Sequence, residues 1–497
     1  MASRRPSFHS TFPGITYFQR EAATPPALQT RAFAMLATHA QDQDGLPAPQ
    51  LYWGILVITL GTALGVLDGA IANLALPTIA HTLHAAPATS IWVINAYQLA
   101  TTVALLPLSS LGDRIGYRKV YLLGLGLFTA ASLDCALTHS FGGLVLGRVA
   151  QGFGAAGIVS VNTALVKTLY PSRLLGRGVS INASVVAIAS AAGPTVAAAI
   201  LSNASWPWLF AINVPLGIVA FGIGLVALPP NRGLNQRYDY ASAMLNALTL
   251  GLLVIAVDGF GHGSGKRYVV LALAGTIGFG FVFVRRQLNR ETPMLPVDLL
   301  RHPAFSLSVA TSICSFVAQM LAFVSLPFLL QDTLGHSAIQ TGTLITPWPL
   351  AVLCIAPLAG ALSDRYPAAL LGGLGLVGLA LGLALLALIP AHATAVDIAW
   401  RMAVCGLGFG LFQSPNNRAI LAAAPRGRTG SASGMIGTAR LLGQTLGTAL
   451  VALIFNTAPT RAGVVALITG TAFAGVAACL SLSRIATTTV AADYPIS

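Results

Sequence analysis

Charged side chains are scarce in this chain of 497 residues, since Asp, Glu, Lys and Arg together make up only 8% of it. Soluble proteins carry about 25% charged residues. Apolar residues account for 55% of the chain, and the mean hydropathy is +0.76. This composition excludes a soluble globular protein and predicts a helical membrane protein, because a membrane β-barrel shows short segments of alternating polarity instead.

Motifs of enzyme chemistry are also lacking. The five cysteines lie in apolar segments, without the spacing of a metal site or a framework of pairs. No predicted span holds paired carboxylates or a nucleophile with its base. The run Gly152–Gly157 has the glycine spacing of a dinucleotide site, but it lies inside an apolar segment and follows no strand. We therefore expect no catalytic residue, no metal and no cofactor, and an ion gradient rather than ATP as the energy source.

Long apolar segments dominate the rest of the chain. Fourteen of them reach the length of about 20 residues that a helix needs to cross a bilayer. Six fall in residues 51–228, two in the connection 229–304 and six in 305–482. Polar tails occupy 1–50 and 483–497. The predicted fold is all-α, with two six-helix bundles and two accessory membrane helices between them.

Lys and Arg are distributed unevenly between the two ends of these spans. With the N-terminus in the cytoplasm, 21 of the 27 basic residues lie in cytoplasmic loops and tails and 3 in outer loops, while Arg148, Arg401 and Arg440 lie in spans. Cytoplasmic loops of membrane proteins carry such an excess. The bias predicts that both termini are cytoplasmic. It also explains the net charge of +13 by basic loops facing anionic lipid rather than nucleic acid.

A charged turn, Leu111–Lys119, separates the second span from the third. It contains Asp113, Arg114, Gly116 and Arg118. Alone, a turn of this kind is a simple connection between spans. A similar pair, Asp364 and Arg365, occupies the equivalent place in the second half. Both acids precede a glycine by eleven residues, namely Gly124 and Gly375. The two halves are therefore predicted to be structural repeats.

A half-molecule repeat with a charged turn after its second span resembles the major facilitator superfamily, and fourteen spans narrow the resemblance to its drug:proton antiporters. The resemblance implies two bundles that rock around a central cavity. It implies that the charged turns hold the cytoplasmic side closed, with Asp113 facing residues 429–434 and Asp364 facing residues 177–178. Gly193 and Pro194 are similar to the family's antiporter motif and would take part in the same conformational change.

Two opposite charges are predicted deep in the membrane. Asp68 lies about 17 residues into the first span, where an unpaired charge costs about 2.5–3.5 kcal/mol. Arg148, in the fourth span, also needs a partner, and Asp68 is the candidate. Asp68 is read as a reversible proton carrier, and a structural, hydrogen-bonded Asp is the alternative. Both residues stand in segments similar to the first-span and fourth-span motifs of the antiporters.

Polar and aromatic residues within the spans are candidates for the substrate cavity: Tyr97, Gln98, Asp134, Trp348, Gln413 and Asn416. Helix packing is the alternative for Tyr97, Gln98 and Trp348, and simple solvation near the outer surface is the alternative for Asp134. The segments around Gln413 and Asn416 in the twelfth span, and Arg440–Gln444 in the thirteenth, are similar to the same family.

The resemblance implies multidrug efflux, in which a proton-driven antiporter of the plasma membrane exports hydrophobic, cationic compounds as a monomer. Its partners would be a small-molecule substrate and membrane lipid, and no nucleic acid. Export of one endogenous metabolite or antibiotic is the alternative. A channel is disfavoured because a pore needs no deep proton carrier. A membrane enzyme is disfavoured because its catalytic residues are lacking.

Overall fold

The computed structural model describes residues 45–493 apart from 172–173, 232–237, 262–265, 291–292, 391 and 425–427. Fourteen helices within these residues are long and apolar enough to cross a membrane, which confirms the predicted all-helical fold. The first six are α1 (Ala48–Thr82), α2 (Trp92–Ile115), α3 (Tyr117–Leu137), α4 (Phe141–Leu169), α5 (Leu175–Asn203) and α6 (Trp208–Ala227).

The accessory pair and the second bundle follow along the chain. The accessory helices are α7 (Tyr240–Gly261) and α8 (Lys266–Leu288). The last six helices are α9 (Pro303–Phe328), α10 (Ala338–Leu362), α11 (Ala368–Ala387), α12 (Ala395–Ala422), α13 (Thr429–Thr457) and α14 (Ala462–Asp493). Thr346 interrupts α10 immediately before Pro347, because proline cannot donate a backbone hydrogen bond.

The two bundles have the same internal packing. In the first, α4 packs on α2 and α3, and α1 packs on α5 and α6; in the second, α12 packs on α10 and α11, and α9 packs on α13 and α14. The aligned glycines are equivalent as well. A Cβ at Gly124 would lie 2.8 Å from the carbonyl oxygen of Gly154, and one at Gly375 would lie 2.6 Å from that of Gly408. Each glycine therefore allows the same close approach of two helices, as expected of structural repeats.

The bundles are closed against each other on one side of the membrane. Because the number of spans is even, α1 begins and α14 ends on the same face, here called the terminal face; the opposite one is the distal face. Near the distal face, His81 of α1 lies 3.2 Å from Asp332, which follows α9. The hydroxyls of Thr195 in α5 and Thr346 in α10 lie 3.1 Å apart. These contacts join the two bundles across the distal side.

The accessory helix α7 covers one of two seams between the bundles. It packs on α2 and α13, which meet where the hydroxyls of Thr102 and Thr445 lie 2.8 Å apart. The side-chain amide of Asn246 in α7 donates to the carbonyl oxygen of Val103 in α2 over 3.0 Å. The second seam lies between α5 and α10. The two bundles therefore meet along two seams, and α7 packs on the seam between α2 and α13.

Ion pairs tie α7 to α8 at the terminal face. Asp239, just before α7, lies 2.9 Å from Arg286 and 3.2 Å from Arg290, which stand at the end of α8 and just beyond it. Burial disfavours the charged form of Asp239, but hydrogen bonds from Arg286 and Ser242 outweigh that effect and lower its pKa to about 2. The carboxylate therefore stays charged over the physiological pH range.

The C-terminal tail expected at 483–497 begins as helix, because α14 continues to Asp493. Arg484 does not lie in a solvated tail, and it is 4% exposed. Its Nη1 donates to Ser308 Oγ over 2.6 Å and to Asn416 Oδ1 over 2.9 Å. A buried charge is tolerated where polar partners replace water. The predicted tail at 1–50 lies outside the described residues except for its last six.

Candidate functional site

Asp68 of α1 and Arg148 of α4 form a buried ion pair. Arg148 Nη1 donates to Asp68 Oδ2 over 2.6 Å, and each side chain is only 1% exposed. Two amides donate to the other carboxylate oxygen, Gln151 of α4 over 2.8 Å and Asn213 of α6 over 3.0 Å. Asp68 thus accepts hydrogen bonds from two other helices, and Arg148 balances its charge. The pairing expected from the sequence is present.

Arg148 is held on its other side by α2. Its Nε donates to the carbonyl oxygen of Val93 over 3.0 Å, and its guanidinium lies 4.2 Å from the centre of the Tyr97 ring, whose face attracts cations. Gln151 accepts from Arg148 over 2.6 Å and donates to Ser132 of α3 over 2.9 Å. The network joins α1, α2, α3, α4 and α6. A change of charge at its centre therefore acts on the packing of five helices of the first bundle.

Glycines of α4 make this close arrangement possible. A Cβ at Gly152 would lie 2.5 Å from the carbonyl oxygen of Tyr97 in α2, and one at Gly154 would lie 2.5 Å from the backbone nitrogen of Phe128 in α3. Real Cβ atoms do not approach other atoms so closely. The glycine run that has the spacing of a dinucleotide site is therefore a helix-packing surface.

Gly193 and Pro194 lie where α5 crosses α1 and α10. A Cβ at Gly193 would overlap that of Ala70, which stands two residues after Asp68. A Cβ at Gly342 of α10 would lie 2.7 Å from the carbonyl oxygen of Pro194. This pair of residues is therefore at the contact between the bundles and beside the helix that carries Asp68.

The charged turn lies at the terminal face and packs on neighbouring segments of the chain. Gly116 has a φ of 103°, and a Cβ there would lie 2.6 Å from the carbonyl oxygen of Asn231. The backbone nitrogen of Arg118 donates to the Asn231 side chain over 3.2 Å. Arg114 donates to the hydroxyl of Tyr240 over 3.5 Å. The turn thus docks onto the segment after α6 and the start of α7.

The acids of the two charged turns have partners within their own bundles. Asp113 accepts a hydrogen bond from Tyr117 over 2.7 Å, and Asp364 forms an ion pair with Arg418 of α12. Arg365 is exposed. The expected positions of these acids opposite residues 429–434 and 177–178 stay predictions, because side chains of both segments lie outside the described residues.

Two cavity candidates on α2 lie beside the ion pair. Tyr97 is 6% exposed, and its hydroxyl donates to the carbonyl oxygen of Gly65 in α1 over 3.4 Å. Gln98 is 8% exposed and accepts a hydrogen bond from Thr102 through its backbone carbonyl over 2.7 Å. The ring of Tyr97 therefore contacts the ion pair, while the described hydrogen bond of Gln98 does not involve its side-chain amide.

Two candidates of the second bundle are packing residues in this structure. Trp348 is 1% exposed and packs on Phe323 with ring centres 4.9 Å apart. Asn416 is fully buried; it donates to Ser312 over 2.9 Å and accepts from Arg484 over 2.9 Å. The expectation that Asn416 lines the cavity is therefore corrected, because its amide ties α9, α12 and α14 together.

The remaining two candidates differ in their surroundings. Gln413 is half-buried on α12. Asp134 is exposed near the distal end of α3, a helix that packs mainly on α4 and α6. The structure therefore does not bring Asp134 to the interface between the bundles, and its expected place in the cavity is corrected in favour of the solvated alternative.

The neutral partners of the ion pair were not predicted from the sequence. Gln151 stands three residues after Arg148, which is the spacing of neighbours on one helix face, so a signal for it was present. Asn213 lies on α6, 145 residues after Asp68. Its pairing with Asp68, and the pairing of Ser132 with Gln151, cannot be read from spacing along the chain.

The superfamily follows from a direct match of the sequence. Residues 58–448 match the model of the Major Facilitator Superfamily. The chain belongs to the major facilitator superfamily. It is a multi-pass membrane transport protein and not an enzyme, as predicted, and its bacterial relatives imply a location in the plasma membrane.

The relatives of this transporter are named for different functions. The uncharacterized transporter YebQ of Escherichia coli K12 is 56% identical over 89% of this chain and 97% of its own. The riboflavin transporter RibZ of Clostridioides difficile is 29% identical, covering 81% and 87%. The multidrug resistance protein Stp of Mycobacterium tuberculosis is 30% identical, covering 80% and 75%. The relatives thus include a vitamin transporter and a drug-resistance protein.

A solved structure supports the fold alone. A bacterial homologue of the human lysosomal transporter Spinster, in an inward-facing and unoccupied conformation, superposes with a TM-score of 0.64 at 15% sequence identity. The alignment covers 91% of this chain and 100% of that one.

Proposed function

We propose that this transporter exports apolar, drug-sized molecules in exchange for protons, with Asp68 as the proton-binding carboxylate. The observation that carries the proposal is the buried ion pair of Asp68 and Arg148, in which the two charged atoms lie 2.6 Å apart. Most buried charges in a membrane protein serve transport or proton relay. The resemblance to drug:proton antiporters favours cationic members of this substrate class.

The geometry supplies a way for the proton to act on the fold. With Asp68 charged, its carboxylate holds α4 and α6 against α1 through Arg148 and Asn213. Protonation of Asp68 removes the attraction and leaves the guanidinium of Arg148 buried without a counter-charge, which is unfavourable. The protonated first bundle therefore favours a different packing of these helices. A proton taken up on one side and released on the other converts this change into a transport cycle.

The expected orientation relates this conformation to the two sides of the membrane. With both termini cytoplasmic, the distal face is the outer one, and the present conformation is closed to the outside. Fusions of a reporter to the C-terminus test the orientation, and an outside location of the reporter contradicts it.

Transport from proteoliposomes under an imposed pH gradient tests the proposal. Asp68→Asn is expected to abolish uphill transport, and Asp68→Glu to retain part of it. The exposed Asp134 offers a matched control, because Asp134→Asn removes a carboxylate away from the interface. Uphill transport by Asp68→Asn at the wild-type rate would assign Asp68 a structural role. Substrates for this assay are identified by growth-inhibition tests with dyes, biocides and antibiotics in a host whose own pumps are deleted.

A single endogenous metabolite is the second candidate substrate. The 29% identity to a protein named a riboflavin transporter favours it. Resistance to a broad panel of unrelated compounds supports the multidrug proposal, whereas export restricted to one metabolite supports this second candidate.

A further inference from the structure

Arg440 of α13 is a guanidinium without a counter-charge. Its Nε–H is buried and has no hydrogen-bond partner, and none of the ion pairs formed among the described residues includes it. The acids of those ion pairs already have basic partners: Asp68, Asp239, Asp298, Asp332, Asp364 and Asp397. A cation in a membrane span is unfavourable unless something compensates it. The compensating group is therefore to be sought outside this part of the chain.

The register of α13 directs Arg440 to the interface between the bundles. A Cβ at Gly443 would lie 2.6 Å from a backbone oxygen of α9, and Thr445 bonds Thr102 of α2 over 2.8 Å. Successive helix residues are rotated by about 100°, so Arg440 and Gln444 stand on the sector between these two contact faces. That sector therefore belongs to the interface between the bundles.

Two amide side chains stand on the facing helices α2 and α13. Gln98 and Gln444 accept hydrogen bonds from Thr102 and Thr448 through their backbone carbonyls, which leaves their side-chain amides outside these bonds. The ring of Tyr97, one residue before Gln98, lies on the guanidinium of Arg148 at 4.2 Å. Tyr97 therefore joins this part of α2 to the buried ion pair.

The described residues give this interface an unbalanced positive charge. Arg148 neutralises Asp68, whereas Arg440 takes part in no ion pair among them. A cationic substrate would be repelled by it, contrary to the expectation from the resemblance. A carboxylate fits, because one edge of a guanidinium, Nε–H with one Nη–H, binds two carboxylate oxygens in parallel. In this conformation the Nε–H of Arg440 is buried without a hydrogen bond, so it lacks the acceptor that a carboxylate would supply.

We propose that Arg440 binds the carboxylate of an amphipathic organic acid, and that such acids are the substrate class of this transporter. The inference rests on the proposed export of small molecules. Gln98 and Gln444 supply hydrogen bonds to the same ligand, and the ring of Tyr97 links the occupied site to Arg148. Exchange of one proton inward for one monovalent anion outward moves two positive charges inward, so a potential negative inside drives the export.

Binding to the purified full chain in lipid nanodiscs tests this assignment without a pH gradient. The probes are 4-(1-pyrenyl)butyrate, its neutral amide and the corresponding trimethylammonium compound, with the signal of protein-free nanodiscs subtracted. We expect the wild-type protein to bind the carboxylate at least about tenfold more tightly than the other two probes. Equal affinity for the three probes, or a preference for the cation, overturns the proposal, and this comparison needs no variant.

Variants of Arg440 test whether this residue causes the preference for the carboxylate probe. Arg440→Gln is expected to abolish this preference, and Arg440→Lys is expected to retain part of it. Arg461→Gln, which removes the same charge from an exposed position near the distal face, is expected to leave it unchanged. A preference that persists in Arg440→Gln contradicts the assignment.

The Arg440 site and the proposed proton antiport can be supported or contradicted independently of each other. A preference for the carboxylate that depends on Arg440, in a protein that shows no pH-driven transport, supports the site and contradicts antiport. Proton-driven export of cations by Arg440→Gln at the wild-type rate supports antiport and contradicts the site. For a transported acid, an imposed potential that is negative inside is expected to accelerate efflux, whereas exchange of a monovalent cation for one proton is insensitive to it.

Discussion

Thr102 of α2 and Thr445 of α13 form a hydrogen bond between the two bundles, with their hydroxyl oxygens 2.8 Å apart. Thr102 also bonds the carbonyl oxygens of Gln98 and Leu441, over 2.7 Å and 3.4 Å. Both hydroxyls are buried near the middle of their helices. The contact thus lies in the part of the interface that has to change if the bundles rock.

Replacement of Thr102 by Val is expected to weaken the contact between the bundles. A hydrogen bond of this kind contributes about 0.5–1.5 kcal/mol, which shifts a two-state equilibrium by about threefold to tenfold. Distance measurements between spin labels at the distal ends of the bundles report the shift. Thr101→Val is the matched control, because Thr101 bonds Gly152 inside the first bundle over 3.1 Å. Equal shifts in both variants contradict the prediction.

Gly193→Ala is expected to impair transport by overpacking. The added methyl group would overlap the Cβ of Ala70 in α1, and overpacking typically costs about 1–3 kcal/mol. Restored transport in the double variant Gly193→Ala with Ala70→Gly identifies this contact as the cause. Gly222→Ala in α6 is the control, because no atom lies within 4 Å of the added group. Transport by Gly193→Ala alone at the wild-type rate contradicts the predicted effect of the steric overlap.

Asp113→Asn tests whether the charged turn gates the terminal face. If it does, the loss of charge slows transport and depletes the conformation closed at that face, while protein levels in the membrane stay unchanged. Tyr117→Phe removes only the hydrogen bond that Asp113 accepts in this structure, over 2.7 Å. The two variants are therefore expected to differ, with the larger loss of transport in Asp113→Asn. Identical transport rates in the two variants indicate a purely local role.

The ion pairs of Asp239 predict a particular pH dependence of stability. Its pKa is lowered from 3.8 to about 2, so its contribution is fully present above pH 3.8 and is lost as the pH falls towards 2. Asp239→Asn is thus expected to lower the melting temperature equally at pH 7 and pH 5. The difference from wild type is expected to shrink below pH 4. A difference that is constant down to pH 2 contradicts the lowered pKa.

The fold was predictable because hydropathy and length determine which segments cross a bilayer. The lengths of the apolar segments indicated fourteen spans, and the eleven-residue spacing from Asp113 to Gly124 and from Asp364 to Gly375 indicated the repeat. The end of α14 was not predictable in this way. Arg484 is buried by polar partners from α9 and α12, and such compensation between distant segments has no signature in a local hydropathy pattern.

The ion pair of the site was predictable because an unpaired charge deep in a span is unfavourable. Asp68 and Arg148 were predicted to pair for this reason, and they lie 2.6 Å apart. The substrate candidates were harder to predict, since a polar side chain in a span serves a cavity or a neighbouring helix equally well. Asn416 illustrates the second case, because its amide is fully used within the bundle. Arg440 was visible as a charge in a span, but only the structure shows that no described acid accompanies it.

The placement of α7 makes the transporter asymmetric towards the lipids around it. Because α7 stands across the seam of α2 and α13, a molecule dissolved in the bilayer meets an extra helix on that flank. The described part of the accessory pair leaves the opposite flank, between α5 and α10, uncovered. Among the described residues, the seam that holds Gly193, Pro194 and Gly342 is therefore the one that lipid reaches without an accessory helix in between.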